Sequence, residues 1–173
     1  MKKKTKTNLT ETKSSTRKVL VTILMGSEND RPAMVAAEEI LKNFEIGYEL
    51  KIISAHRLPD RLKEYLSNIE ERGIEVVIAG AGMAAHLPGV VASHVKIPVI
   101  GVPIQSGALN GLDALFSIVQ MPSGVPVATM AINGSKNAAI FATQILSLKY
   151  PEIREKYMKF NNENKQKLEK LIN

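Results

Sequence analysis

Three short polar clusters hold the side chains with which this 173-residue chain could do chemistry. One is Ser54-Ala55-His56-Arg57-Leu58-Pro59, where an imidazole able to exchange a proton near neutral pH adjoins a guanidinium able to fix a phosphate or carboxylate. Another is Gly26-Ser27-Glu28-Asn29-Asp30, ahead of a helix, where backbone N–H groups, a hydroxyl and the helix dipole could converge on phosphate. Asp30 could hold a ribose hydroxyl or orient a histidine. The last runs from Gly80 to Gly89 and sets His86 among small residues that would let a flat ring approach backbone amides. Each cluster alone also has an ordinary structural explanation: a surface loop for His56 and Arg57, a helix cap for Ser27, Asp30 or His86, a tight turn for Gly80 to Ala85. His94, at the end of a short helix, reads as structural. The glycine-lysine pattern of a P-loop is absent, which argues against nucleoside triphosphate hydrolysis. The three histidines lack the spacing of metal ligands, so no metal is expected.

Hydrophobic periodicity supplies the elements that must position these clusters. Val19 to Met25 is a nearly unbroken apolar run, as in a strand buried on both faces. A helix opening at Pro32 carries the stripe Met34, Ala37, Leu41 and Phe44. Tyr48 to Ile53 alternates and predicts a second strand, followed by a helix over Pro59 to Arg72 with Leu62, Tyr65, Leu66 and Ile69 inward. Strands at Val76–Ala79, Val99–Val102 and Val127–Ile132 follow. Between and after them lie helices at Pro88–His94, through Leu115 and Val119, at Lys136–Leu148 and at Pro151–Leu171. Strands alternating with helices imply right-handed crossovers and a parallel sheet. The expected fold is a three-layer α/β sandwich of flavodoxin-like order 2-1-3-4-5 with a C-terminal extension helix. In that order the loops after the first three strands meet at one rim, so Ser27, Asp30, His56, Arg57, Gly80, Gly82 and His86 would share one pocket.

A hydrophobic content of 45% suits one full-sized core. The net charge of +6 belongs entirely to residues 1–18, with seven basic residues against Glu11 alone, and the remainder is neutral. Residues 1–18 therefore read as a basic, disordered tail, residues 19–150 as the catalytic domain, and residues 151–173 as an intersubunit helix. A neutral body argues against a nucleic-acid partner. No apolar run is long enough to span a membrane and no secretory h-region is seen. The absence of cysteine fits the cytoplasm.

Taken alone, these residues point to a phosphorylated, ring-bearing small molecule with acid–base chemistry from His56. Four motifs sharpen that reading: Gly26-Ser27-x-x-Asp30, Ser54-Ala55-His56-Arg57-x-Pro59, Ala79-Gly80-Ala81-Gly82-x-Ala84-Ala85-His86-Leu87-Pro88-Gly89, and Ser117-Ile118-Val119-Gln120-Met121-Pro122-x-Gly124-Val125-Pro126-Val127. In this order, from about Val19 to Leu148, the chain resembles the class I N5-carboxyaminoimidazole ribonucleotide mutases of purine biosynthesis. The resemblance implies conversion of that ribonucleotide to 4-carboxy-5-aminoimidazole ribonucleotide by decarboxylation and recarboxylation, without metal or organic cofactor. It makes His56 the proton shuttle and gives Ser27, Asp30 and Arg57 the ribose phosphate region. Ser54, Ala55, Ala81, Gly82, Ala84, His86 and Leu87 would line the ring and carboxylate pocket. It further implies a homo-octamer of stacked tetramers. The chain departs from the family pattern at Asn29 (usually serine), Leu58 (usually threonine) and Met83 (usually glycine). Two other readings stay open: a carboxylase of the same fold acting on another carboxylated nucleotide, and a nucleotide-binding module without catalysis.

Overall fold

Strand β1 (Val19–Met25) pairs along both edges, with β2 (Gly47–Ile52) and β3 (Val76–Gly82), and is buried on both faces because helices pack on each side of the sheet. The structure is a computed structural model that describes residues 18–172. With β4 (Val99–Ile104) and β5 (Ala128–Thr129) the strands form one parallel sheet of order β2-β1-β3-β4-β5, as the alternation of elements predicts. The tail over residues 1–17 lies outside the described residues.

The α-helices among the described residues are α1 (Arg31–Asn43), α2 (Pro59–Leu66), α3 (Leu87–His94), α4 (Leu112–Val119), α5 (Ser135–Ser147) and α6 (Pro151–Glu169), the last of which packs on α5. The two-residue alternation of strands divides the apolar side chains into two cores. Val21, Ile23 and Met25 of β1, Ile78 of β3, and Ile100 and Val102 of β4 pack with α1 and α5. Leu24, Val77 and Ala79 face the other way, onto Leu62, Leu66, Val91 and Ile118 of α2, α3 and α4.

Two expected elements are shorter than their patterns. Helix α2 stops at Leu66, where Ser67 Oγ donates to the Glu64 carbonyl. Residues 67–73 continue as turns that close on Gly73 (φ 85°), yet Ile69 stays buried. Strand β5 keeps only Ala128 and Thr129 of the expected Val127–Ile132. Met130 N–H still donates to Gly101, but two residues on, the same edge of β4 presents Pro103, which has no N–H to give. The ladder ends there.

Helix α6 does not stand free. Ile153 is buried, and the rings of Tyr157 and Phe160 sit 6.4 and 5.2 Å from that of Phe44 at the end of α1. Gln144 of α5 donates to the Tyr157 hydroxyl. The first half of the helix thus covers its own domain, while Leu168 in the second half is exposed.

Candidate active site

Parallel strands deliver their carboxyl ends to one rim, and there the loops after β1, β2 and β3 enclose a cleft of about 490 Å³. Its lining contains Ser27, Asp30, Ser54, Ala55, His56, Arg57, Ala81, Gly82, Ala84, His86 and Leu87, whereas Gly80, expected in the same pocket, does not line it. Gly26, Asn29, Met83 and Ser106 line it as well.

The β1 loop is braced by a reciprocal cap. Ser27 Oγ accepts from the Asn29 N–H at 3.2 Å, and Asp30 Oδ2 accepts from the Ser27 N–H at 2.9 Å. The two residues therefore act as helix caps and as cleft residues at once. Burial pushes the Asp30 carboxyl above its ordinary range, against the N–H groups of Ser27 and Gly26 and the Arg57 charge, which pull it down.

In the β2 loop Ser54 shapes the turn, its Oγ accepting from the Arg57 N–H at 3.3 Å while its carbonyl accepts from Leu58 N–H at 2.9 Å. Arg57 Nη2 then donates to the Gly26 carbonyl at 3.0 Å. One guanidinium edge is thereby spent on tying the β2 loop to the β1 loop, which fixes the group beside Ser27.

The β3 loop brings His86 to His56. Nε2 of His56 and Nδ1 of His86 lie 2.7 Å apart, the rings nearly perpendicular at 81°. At that distance one nitrogen donates and the other accepts, so a proton lies between the two imidazoles. The alternative of His86 as a helix cap does not hold: its side chain makes no cap hydrogen bond, and only its carbonyl enters α3, accepting from Val90. His94, by contrast, lies with Nδ1 2.9 Å from the Val90 carbonyl and 3.1 Å from Ser93 Oγ, and does not line the cleft.

The small residues of the β3 loop divide into two groups. Gly80 answers to the core: a Cβ there would meet Met34 Sδ at 2.5 Å. Gly82 answers to the cleft, where a Cβ would meet Ser106 Oγ at 2.5 Å. Met83 adopts φ 55°, the left-handed region, with its side chain 61% exposed over the cleft. Ser106 is the residue that sequence reasoning passed over, as one member of a small, polar loop from Gln105 to Gly111. Strand order was the available signal, since the β4 loop must adjoin the β3 loop. Among the described residues, no group of three or more His, Cys, Asp or Glu side chains is placed to hold a metal ion. No described helix is long and apolar enough to cross a membrane.

Comparison with known proteins bears on the family of the chain. The profile of the AIR carboxylase family matches residues 20–167. The chain belongs to that family. It is similar to the N5-carboxyaminoimidazole ribonucleotide mutase of Pyrococcus abyssi, 63% identical over 145 residues that span 84% of this chain and 83% of the relative. The mutase of Thermotoga maritima is 62% identical over 148 residues, 86% of each chain. Among solved structures, Treponema denticola PurE superposes with a TM-score of 0.81 at 34% identity, over 87% of this chain and 94% of that one.

Proposed function

We propose that this chain is an isomerase that interconverts N5-carboxyaminoimidazole ribonucleotide and 4-carboxy-5-aminoimidazole ribonucleotide in purine biosynthesis. The observation that carries the reading is the His56–His86 pair in a cleft that also holds Ser27, Arg57 and the small residues Ala81, Gly82 and Ala84. The mutases of Pyrococcus abyssi and Thermotoga maritima, similar over more than four-fifths of the chain, support it.

The chemistry asks for little. The bond from the exocyclic nitrogen to the carboxyl carbon breaks, its electron pair stays on nitrogen, and carbon dioxide forms. Nitrogen takes up a proton. Ring carbon C4 then attacks carbon dioxide and releases its own proton, so atoms and charge balance with no oxidant. His56 is the group that gives one proton and removes the other, with His86 as the neighbour that holds its ring and shares its proton. Arg57 and Ser27 hold the phosphate, and Asp30 keeps the Ser27 amide in place beside it. A closed pocket of small residues keeps carbon dioxide against the ring until it re-adds.

The family description, carboxylase, names a second reaction: addition of carbon dioxide from solution to the uncarboxylated aminoimidazole ribonucleotide. Ultraviolet absorbance of the 4-carboxylated product tests the proposal. The chain is expected to form it from the N5-carboxylated isomer without added bicarbonate. Formation only from the uncarboxylated ribonucleotide with bicarbonate would establish the carboxylase instead.

The same reading places the enzyme in the cytoplasm, with a ribonucleotide and no nucleic acid as its partner, and assembles it as a homo-octamer with clefts completed by neighbouring chains. Support for assembly lies in α4, where Leu112, Phe116 and Val119 recur at helical spacing and are exposed, next to exposed Leu109. Light scattering is expected to give a mass near eight chains; a fully active monomer would contradict it.

A further inference from the structure

The cleft contains one buried side-chain polar atom with no partner. Ser106 Oγ is shielded from water and makes no hydrogen bond, the only such buried side-chain oxygen or nitrogen among the described residues. Buried hydroxyls normally find a partner, and leaving one unpaired is costly. Ser106 follows β4, lines the cleft, and faces Gly82, whose missing Cβ leaves the space its hydroxyl occupies. Its loop is fixed from behind: Gln105 N–H donates to Asn133 Oδ1 at 2.9 Å and Asn133 Nδ2 donates to Gln105 Oε1 at 3.3 Å. The backbone at Ser106 is thus held while the hydroxyl is left without work.

We propose that Ser106 is a ligand-binding residue whose hydroxyl, after rotation about χ1 into the cleft, donates to the carboxylate carried by the imidazole ring. The inference rests on the mutase reading and adds a contact to it. Strand order supports the choice of atom. Arg57 and Ser27 belong to the β2 and β1 loops and serve the phosphate, whereas Ser106 comes from β4, beyond β3. The charged lining residues Asp30 and Arg57 both come from the β1 and β2 loops, so a carboxylate against Gly82 would have backbone amides and this hydroxyl to meet. A hydroxyl suits a group that must leave one atom and join another, because it can follow the carboxyl through a small rotation without trapping it as a fixed cation would.

The test is Ser106→Ala in the full chain, with titration calorimetry against two ligands, 4-carboxy-5-aminoimidazole ribonucleotide and the same ribonucleotide lacking the carboxyl. The variant is expected to bind the carboxylated ligand about tenfold more weakly, the usual loss of one hydrogen bond to a charged group, and the uncarboxylated ligand as the wild type does. Because the hydroxyl is unpaired in the free chain, the melting temperature without ligand should stay the same or rise. Equal weakening of both ligands, no weakening of either, or a lower melting temperature would overturn the inference and leave the mutase reading standing. A wild-type chain that binds neither ribonucleotide would remove the mutase reading, and this contact with it.

Discussion

His56 Nε2 and His86 Nδ1 lie 2.7 Å apart although 30 residues separate them in sequence, and their hydrogen bond joins the loop after β2 to the loop after β3. Each ring is thereby oriented by the other. His56→Asn is expected to lower kcat by about 10²–10⁴, the usual worth of a positioned acid–base group. His86→Asn should cost less, because His56 remains, but should shift the pH dependence of kcat as a coupled pair becomes a single imidazole. Steady-state kinetics across pH check both. An unshifted profile in His86→Asn would show that the hydrogen bond plays no part in turnover.

Arg57 donates to the Gly26 carbonyl, and the proposed function gives it the ligand phosphate as well. Arg57→Ala should raise KM by about 10- to 100-fold, as expected for loss of a charge-assisted hydrogen bond, with a smaller effect on kcat. Arg57→Lys should restore binding only in part, since an ammonium lacks the planar fork that reaches two partners. A pure kcat effect in Arg57→Ala would place the residue in the chemical step.

Met83 at φ 55° carries a conformational cost that glycine would not. The left-handed region disfavours a side chain by about 1–2 kcal/mol, while glycine in its place loses about 0.5–1 kcal/mol to unfolded-state entropy. Met83→Gly should therefore stabilise the chain by about 0.5–1 kcal/mol, read as a higher melting temperature, since the side chain is too exposed to be missed from the core. A lower melting temperature would mean that the side chain packs in the assembled protein.

How much of this could be read from the residues depends on how local the cause is. Strand order, the burial of β1 and the convergence of Ser27, His56 and His86 follow from periodicity and crossover rules, which act within a few residues. The early end of β5 does not. It follows from Pro103 on a different strand, facing the edge across a register that only the assembled sheet defines. Phe160 likewise reads as a large ring without a reason until Phe44, 116 positions earlier, is placed beneath it. The partnerless hydroxyl of Ser106 could not have been read at all, because being unpaired is a property of everything around it.

Two glutamates give the fold an acid-sensitive edge. Burial raises the Glu49 carboxyl, but hydrogen bonds from Tyr65 and Arg72, at 2.6 and 2.8 Å, outweigh it and hold the group below the ordinary 4.5. The same carboxylate and burial push the Tyr65 phenol up to about 12. At Glu75 burial is likewise outweighed by Lys149 Nζ at 2.7 Å and the Tyr150 hydroxyl at 2.5 Å. A depressed folded value adds stability that is present above pH 4.5 and lost as pH falls through the folded values, so the loss lies below 4.5. Asp30, raised by burial, acts in the opposite sense, its protonation favouring the folded state. Melting temperatures of the wild type should fall below pH 4.5, and the double variant Glu49→Gln, Glu75→Gln should melt lower at neutral pH with a flatter acid limb. Parallel curves would show that neither glutamate sets the limb.

In the proposed reaction one cleft releases a carboxyl group and returns it to the same ring. Incubation of the purified chain with N5-carboxyaminoimidazole ribonucleotide, its carboxyl carbon labelled with ¹³C, in buffer holding unlabelled bicarbonate tests this most directly. Mass spectrometry of the 4-carboxylated product reads the outcome. Product that keeps the label is expected from the wild type, and little product of either kind from His56→Asn. Product carrying the unlabelled carbon of the buffer would contradict it.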